Sequence, residues 1–155
     1  MQKTNVMRLL EAAKIAYTAY EYDVSDGAIN GKSVAAKIGL PEGQVFKTLV
    51  TESPTQENYL FLIPVSDELN LKKAAKSAGV KSIDLIPVKK LLPLTGYIHG
   101  GCSPVGMKTS LPTFIDESAI LYDFITISGG KIGSNLGVAP EDLAGLLNAG
   151  FYDLH

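Results

Sequence analysis

The sequence predicts a single α+β domain with a mixed, curved β-sheet. Three observations lead there. The chain has 155 residues, 46% of them hydrophobic, enough to bury one sizeable core. Two apolar runs of strand character, VFKTLVT at 45–51 and NYLFLIPV at 58–65, follow one another across a short polar connection. Helical and extended segments then interleave without the regular period of a doubly wound sheet. No internal repeat and no linker divides residues 1–155, so they read as one domain.

The elements follow in order. Val6, Leu9, Leu10 and Ala13 recur at helical spacing and predict an amphipathic helix over 4–15. YTAYEYD, residues 17–23, is aromatic-rich and extended. Asn30-Gly31 ends that region, and Ser33 to Ile38 form a short helix closed by Gly39. ESPTQE joins the two apolar runs as a hairpin connection. Leu71 to Ala78 is a helix stopped by Gly79. Residues 84–92 hold a short helix ended near Pro93, and Tyr97-Ile98 is strand-like. Residues 111–116 and 119–128 read as strands, and SGGKIGSN, residues 128–135, as a glycine-rich loop. Ala139-Pro140-Glu141-Asp142 opens a last helix, with proline in the first turn and acids complementing the helix dipole.

Composition narrows the function. One cysteine cannot build a disulfide framework, so no oxidising compartment is implied. Glu11 and Lys14 interrupt the apolar pattern of the N-terminus, which reads as neither a signal peptide nor a membrane span. A cytoplasmic protein without a membrane partner is the expectation. The net charge of −2 is unevenly spread. Residues 69–115 carry seven lysines (72, 73, 76, 81, 89, 90 and 108) against the single acid Asp84, a net of +6. Such a stretch is either an ordinary solvated surface or a local face for a phosphate backbone.

Lys47 stands out among candidate functional residues, because it interrupts the apolar strand Val45 to Val50. Strand alternation either points it to solvent or turns an ammonium inward, where it needs a partner or a ligand. An inward Lys47 suits a carboxylate, carbonyl or phosphate. Gly100, Gly101 and Gly106 let the loop GYIHGGCSPVGMKT, residues 96–109, turn tightly and bring backbone N–H groups near a carbonyl that becomes an oxyanion. The loop matches neither the P-loop nor the dinucleotide fingerprint. Cys102 has only His99 nearby as an activating base and reads as a small hydrophobe. Ser103 and Ser128 are candidate hydroxyl donors, yet no Ser-His-Asp set is legible. Two histidines and one cysteine make a structural zinc site a poor fit.

TGYIHGGCSPVGMKTSLPTFID, with VFKTLV upstream and SGGKIG and APEDLA downstream, resembles the YbaK/EbsC family of Cys-tRNA(Pro) deacylases. These are relatives of the insertion domain that edits in bacterial prolyl-tRNA synthetases. The resemblance runs in order over nearly the whole chain, through TAYEYD, VFKTLV, LNLKKAAKSAGVKS, the glycine loop, LPTFID and SGGK. It implies a barrel-like mixed sheet with flanking helices, no metal and no cofactor. It also implies hydrolytic editing of the acceptor end of an aminoacyl-tRNA, with prolyl-tRNA synthetase as a partner. By resemblance Lys47 is the key lysine, and Gly100 and Gly101 are the glycine pair whose backbone surrounds the aminoacyl carbonyl. Tyr20 is the pocket tyrosine and Ser128 the serine before the double glycine. Ile29 stands where the family often carries Phe, and Asn135 where it often carries Asp, so both bear on amino acid preference. Cys102 stands where the family has an aliphatic residue, which counts against a nucleophilic role.

The resemblance implies a substrate-assisted route: the thiol of the attached cysteine closes a thiolactone and releases the tRNA. Two alternatives stay open: attack by water on another small aminoacyl ester such as Ala-tRNA(Pro), and a non-catalytic module that binds tRNA or nucleotides.

Overall fold

The computed structural model describes residues 2–155. Helix α1 spans Asn5–Ala12, capped by the Thr4 side chain, which accepts the Met7 N–H. Its Val6, Met7 and Leu10 are buried, while Leu9 and Ala13 lie toward solvent. Strand β1 (Tyr17–Glu21) follows, then α2 (Gly31–Ile38), capped by Asn30 and closed by Gly39 at φ 74°. The expected hairpin is present as β2 (Phe46–Glu52) and β3 (Asn58–Pro64). Helix α3 (Leu71–Ala78) ends at Gly79, also left-handed at φ 73°. The chain continues through β4 (Asp84–Leu85), α4 (Leu91–Thr95), β5 (Thr113–Asp116), β6 (Ile125–Ser128), β7 (Ser134–Val138), α5 (Pro140–Leu147) and β8 (Gly150–Tyr152).

The strands form two sheets, one of order β1-β7-β6 and one of order β4-β2-β3-β5-β8. The second is mixed, since β3 pairs antiparallel with β2 and parallel with β5. The sheets meet at one parallel bridge, Val45 with Thr126, and the Gln44 side-chain amide fastens the same corner by donating to Phe124 O (2.9 Å). The main core fills the space between them, with Leu60, Leu62, Ile115, Ile125, Ile127 and Leu136 beneath α1 and α5. Alternation on β3 sends Phe61 and Ile63 to the opposite face, where Ala74, Ala75, Ile83 and Leu154 cover them. Among the described residues no helix is long and apolar enough to cross a membrane.

Several sequence expectations are corrected. Tyr97-Ile98 is not a strand but the start of the loop after α4. Its backbone is held by a side chain, since Tyr97 N–H donates to Thr95 Oγ1 (3.0 Å). The segment 119–128 is strand only from Ile125, because Glu117–Leu121 turn as a 3₁₀ segment whose start is capped by Asp116. Pro93 does not end a helix but sits inside α4. At the third position of its first turn, its missing N–H has no intrahelical acceptor to lose. Asp84–Leu85 is a short strand rather than helix, because it pairs with the end of β2.

The stretch read as a glycine loop ends in β7, the central strand of the smaller sheet, with all five residues buried. Gly137 lowers its strand propensity for a packing reason. A Cβ there would lie 3.0 Å from the Phe124 ring and 3.3 Å from the Tyr20 ring.

Candidate active site

After the Val45–Thr126 bridge, β2 and β6 separate, and a pocket of about 280 Å³ opens between them. Lys47 and Ser128 each stand two residues beyond the bridge, on opposite walls, and both line it. The outer edge of β2 is next covered at Val50, whose carbonyl accepts the Ile86 N–H (3.1 Å). Val45 O, by contrast, accepts from Val65 on the β3 side (2.8 Å). Antiparallel alternation therefore turns the amide groups of Phe46 to the bridge side and those of Thr48 toward the open edge. Thr48 Oγ1 is buried there without a hydrogen-bond partner.

Register explains the far wall. Ser128 pairs with Asn135, and Asn135 with Tyr20, so the three form one row across β6, β7 and β1. Ser128 and Asn135 line the pocket. Ser128 Oγ accepts the Gly130 N–H (3.1 Å), which leaves its own proton free to donate. Asn135 is buried and donates its amide to Ser134 O (3.2 Å). Tyr20, expected in the pocket, is not among its lining residues. Its ring lies over Gly137 and stacks on Phe124, with centroids 6.5 Å apart. Tyr22, two residues on, lines the pocket in its place.

The glycine pair is divided between two tasks. Gly100, at φ 91°, lines the pocket, and a Cβ on it would crowd Ile29 (3.2 Å) and Ile132 (3.4 Å). Gly101 is buried behind it and does not line the pocket. It gives up its Cβ to the backbone of Lys131 and Ile132, 3.1–3.2 Å away, and donates its N–H to Ile98 O (3.0 Å). Of the two, Gly100 is thus the glycine whose N–H stays available to a ligand. Ile29 lines the pocket as expected. Ser103 does not: it is fully buried beneath the loop, and its Oγ accepts the Val105 N–H (3.3 Å).

Lys47 is the electrostatic centre. Among the described residues it makes no ion pair. Burial pulls its ammonium below the ordinary lysine value; Glu68 and Asp67 oppose that shift, and Lys32 reinforces it. Cys102 also lines the pocket, but burial pushes its thiol up to about 12, so it is protonated near neutral pH. His99, Thr48, Asn30, Gly31 and the apolar residues Val34, Phe46, Leu49, Val65 and Leu91 also line the pocket. The sequence offered no signal for Thr48, which reaches the pocket from the edge of β2, or for Leu91, the first residue of α4. The arrangement can hold a small side chain against an apolar wall while a cation and a backbone N–H approach its carbonyl.

A model of the aminoacyl-tRNA editing domain matches residues 30–146. The chain is 42% identical over 153 residues to "Putative Cys-tRNA(Pro)/Cys-tRNA(Cys) deacylase EbsC" of Enterococcus faecalis, covering 99% of this chain and 93% of that protein. Among solved structures it is similar to "a putative trans-editing enzyme for prolyl tRNA synthetase", with TM-score 0.83 and 27% identity over 99% of this chain and 98% of the other. The fold is shared more widely: hypothetical protein APE2540 superposes with TM-score 0.88 at 22% identity, covering 97% of this chain and 99% of that one. A splayed-strand pocket centred on an unpaired lysine therefore comes with a matching family model and a full-length relative, and the chain belongs to the aminoacyl-tRNA editing domain family.

Proposed function

We propose that this protein is an aminoacyl-tRNA deacylase that removes cysteine wrongly attached to tRNA(Pro), using the thiol of the attached cysteine as nucleophile. The observation that carries the mechanism is one pocket that holds both a Lys47 without an ion pair and a half-buried, protonated Cys102. The pocket supplies charge and positioning but no activated cysteine of its own. In the proposed step the substrate sulfur bonds to the ester carbonyl carbon, and the bond from that carbon to the ribose oxygen breaks. The thiol proton passes to the departing ribose oxygen. Water then opens the thiolactone to free cysteine.

Each residue has a role in this reading. Lys47 draws the ester and terminal ribose with its charge, and Gly100 N–H faces the developing oxyanion. Ile29 limits side-chain size, while Ser128, Asn135 and Tyr22 give the polar wall. Positioning of this kind substitutes for a protein nucleophile because the reaction is intramolecular. Size alone discriminates a methylene by only about 10–200-fold, so the thiol requirement adds selectivity that the pocket walls cannot. The resemblance to a trans-editing protein supports prolyl-tRNA synthetase as a partner, acting on the same acceptor end.

Deacylation of Cys-tRNA(Pro), Ala-tRNA(Pro) and Ser-tRNA(Pro) tests this side by side. Release of cysteine alone is the expected result. Equal release of alanine would replace the thiol route by water attack, for which the pocket residue His99 is the candidate base. Release from none of the three would sink the deacylase reading.

A further inference from the structure

We infer that Lys32 and Lys131 form a clamp at the pocket mouth that holds the phosphodiesters of the RNA 3′ end, an inference that rests on the deacylase reading above. Composition draws attention instead to the +6 stretch 69–115. Folding ties up part of that stretch. Lys73 pairs with Asp153 (2.8 Å) and donates to His155 O (2.6 Å), and Lys90 pairs with Glu52 (3.2 Å). Lys72 and Lys76 sit on α3, which covers the face of β3 that carries Phe61 and Ile63, away from the core between the sheets.

Lys32 and Lys131 come from segments of net negative charge, so block counting hides them. Lys32 is the second residue of α2 and directly follows Asn30 and Gly31, which both line the pocket. It lies near enough to Lys47 for its charge to oppose protonation there. Lys131 belongs to the loop whose backbone rests on Gly101, and its neighbour Ile132 meets Ile29 over Gly100. The two cations thus enter from different segments that converge on one glycine. Both are exposed, and among the described residues neither makes an ion pair. The acids nearest Lys47 are Asp67 and Glu68, just after β3; Asp67 faces His155 Nε2 at 3.7 Å.

With an aminoacyl ester at Lys47, the first phosphates of the RNA lie one and two riboses outside the pocket. Lysine is a compact charge on a flexible four-carbon stem and follows such a strand without fixed geometry. Neutralising each phosphate releases condensed counterions, which makes the contact measurable through salt.

The test uses Lys32→Gln, Lys131→Gln and the double variant, with Lys72→Gln and Lys76→Gln as controls. kcat/KM for Cys-tRNA(Pro) is followed across a salt series, beside the phosphate-free ester 3′-O-cysteinyl adenosine. Each clamp variant should flatten the log–log salt slope by about 0.7, the double by about twice that. The loss should fall in KM rather than kcat. At a pH below the alkaline limb of the rate profile, where Lys47 is protonated in every variant, cysteinyl adenosine should be cleaved at the wild-type rate by all of them, and the controls should keep the wild-type slope. Unchanged slopes in an active clamp variant, or an equal loss on cysteinyl adenosine, would overturn the clamp. A wild-type protein inactive on both substrates would defeat the deacylase reading instead. The clamp would then stand or fall on the same slopes measured by binding a single-stranded RNA ending in CCA.

Discussion

The backbone of Gly31 rests directly on the side chain of Val65: a Cβ added to Gly31 would lie 2.6 Å from Val65 Cβ. Both residues line the pocket, so this contact seats the first turn of α2 against the end of β3 and sets the width of the mouth. Gly31→Ala should cost about 1–3 kcal/mol through overpacking, read as a shift of the denaturation midpoint. Val65→Gly in the same chain removes the clashing Cβ itself and should offset part of that loss, with a favourable coupling in the double-mutant cycle. Simple additivity of the two substitutions would show that the contact does not seat the helix.

Lys47→Ala should lower kcat/KM for deacylation by about 10²–10³-fold, the usual effect of removing one preorganised electrostatic group. Because burial already depresses the Lys47 pKa, activity should fall as pH rises through that lowered value, before ordinary lysines titrate. Glu68→Gln removes an opposing charge and should shift this alkaline limb to lower pH; Lys32→Gln should shift it to higher pH. A pH–rate profile corrected for spontaneous ester hydrolysis distinguishes the two directions.

Cys102→Ala should leave deacylation within a few-fold of wild type. With its thiol pushed up to about 12, the thiolate fraction at pH 8 is about 10⁻⁴, so alkylation of the folded protein should be far slower than of the unfolded chain. Rapid labelling of the native protein, accompanied by loss of activity, would return Cys102 to consideration as a nucleophile.

The C-terminal segment carries a pH-dependent tie. Asp116 is fully buried and accepts hydrogen bonds from Leu154 N–H (3.1 Å), Ser118 N–H (3.1 Å), Ser118 Oγ (2.6 Å) and the ring of His155 (3.0 Å). Burial of the His155 ring works against its protonation, but the bond to Asp116 and the charges of Asp116, Asp67 and Asp153 outweigh it, and its pKa is raised above 6.5. A raised folded-state pKa means the tie stabilises fully below the ordinary histidine value and weakens as pH rises through the raised one. The Tm difference between wild type and His155→Gln should therefore be larger at acidic than at alkaline pH. Asp116→Ala leaves the Leu154 N–H without its acceptor and should cost about 1–3 kcal/mol at any pH where the protein folds.

Much of the fold was legible where local chemistry and burial agree. The helices ending at Gly39 and Gly79 carry left-handed glycines just past the last turn, a local signal independent of neighbours. The hairpin of β2 and β3 was legible because both strands are apolar and one polar turn joins them. Strand β7 was not, because SNLGV carries weak strand propensity and is held by partners on both sides. Gly137 within it is the seat for two aromatic rings.

The candidate site divides the same way. The sequence by itself marked Lys47, because a cation in an apolar strand needs an explanation, and marked the glycine loop by composition. It did not separate Gly100 from Gly101, and the resemblance pointed to Tyr20 where Tyr22 lines the pocket. Those distinctions depend on which N–H is already taken by Ile98, which backbone presses on Gly101, and where the ring of Phe124 lies. Contacts of that kind join residues far apart in the chain, so no local pattern encodes them. Only the divergence of β2 from β6 beyond Val45 and Thr126 turned an odd lysine into one wall of a pocket.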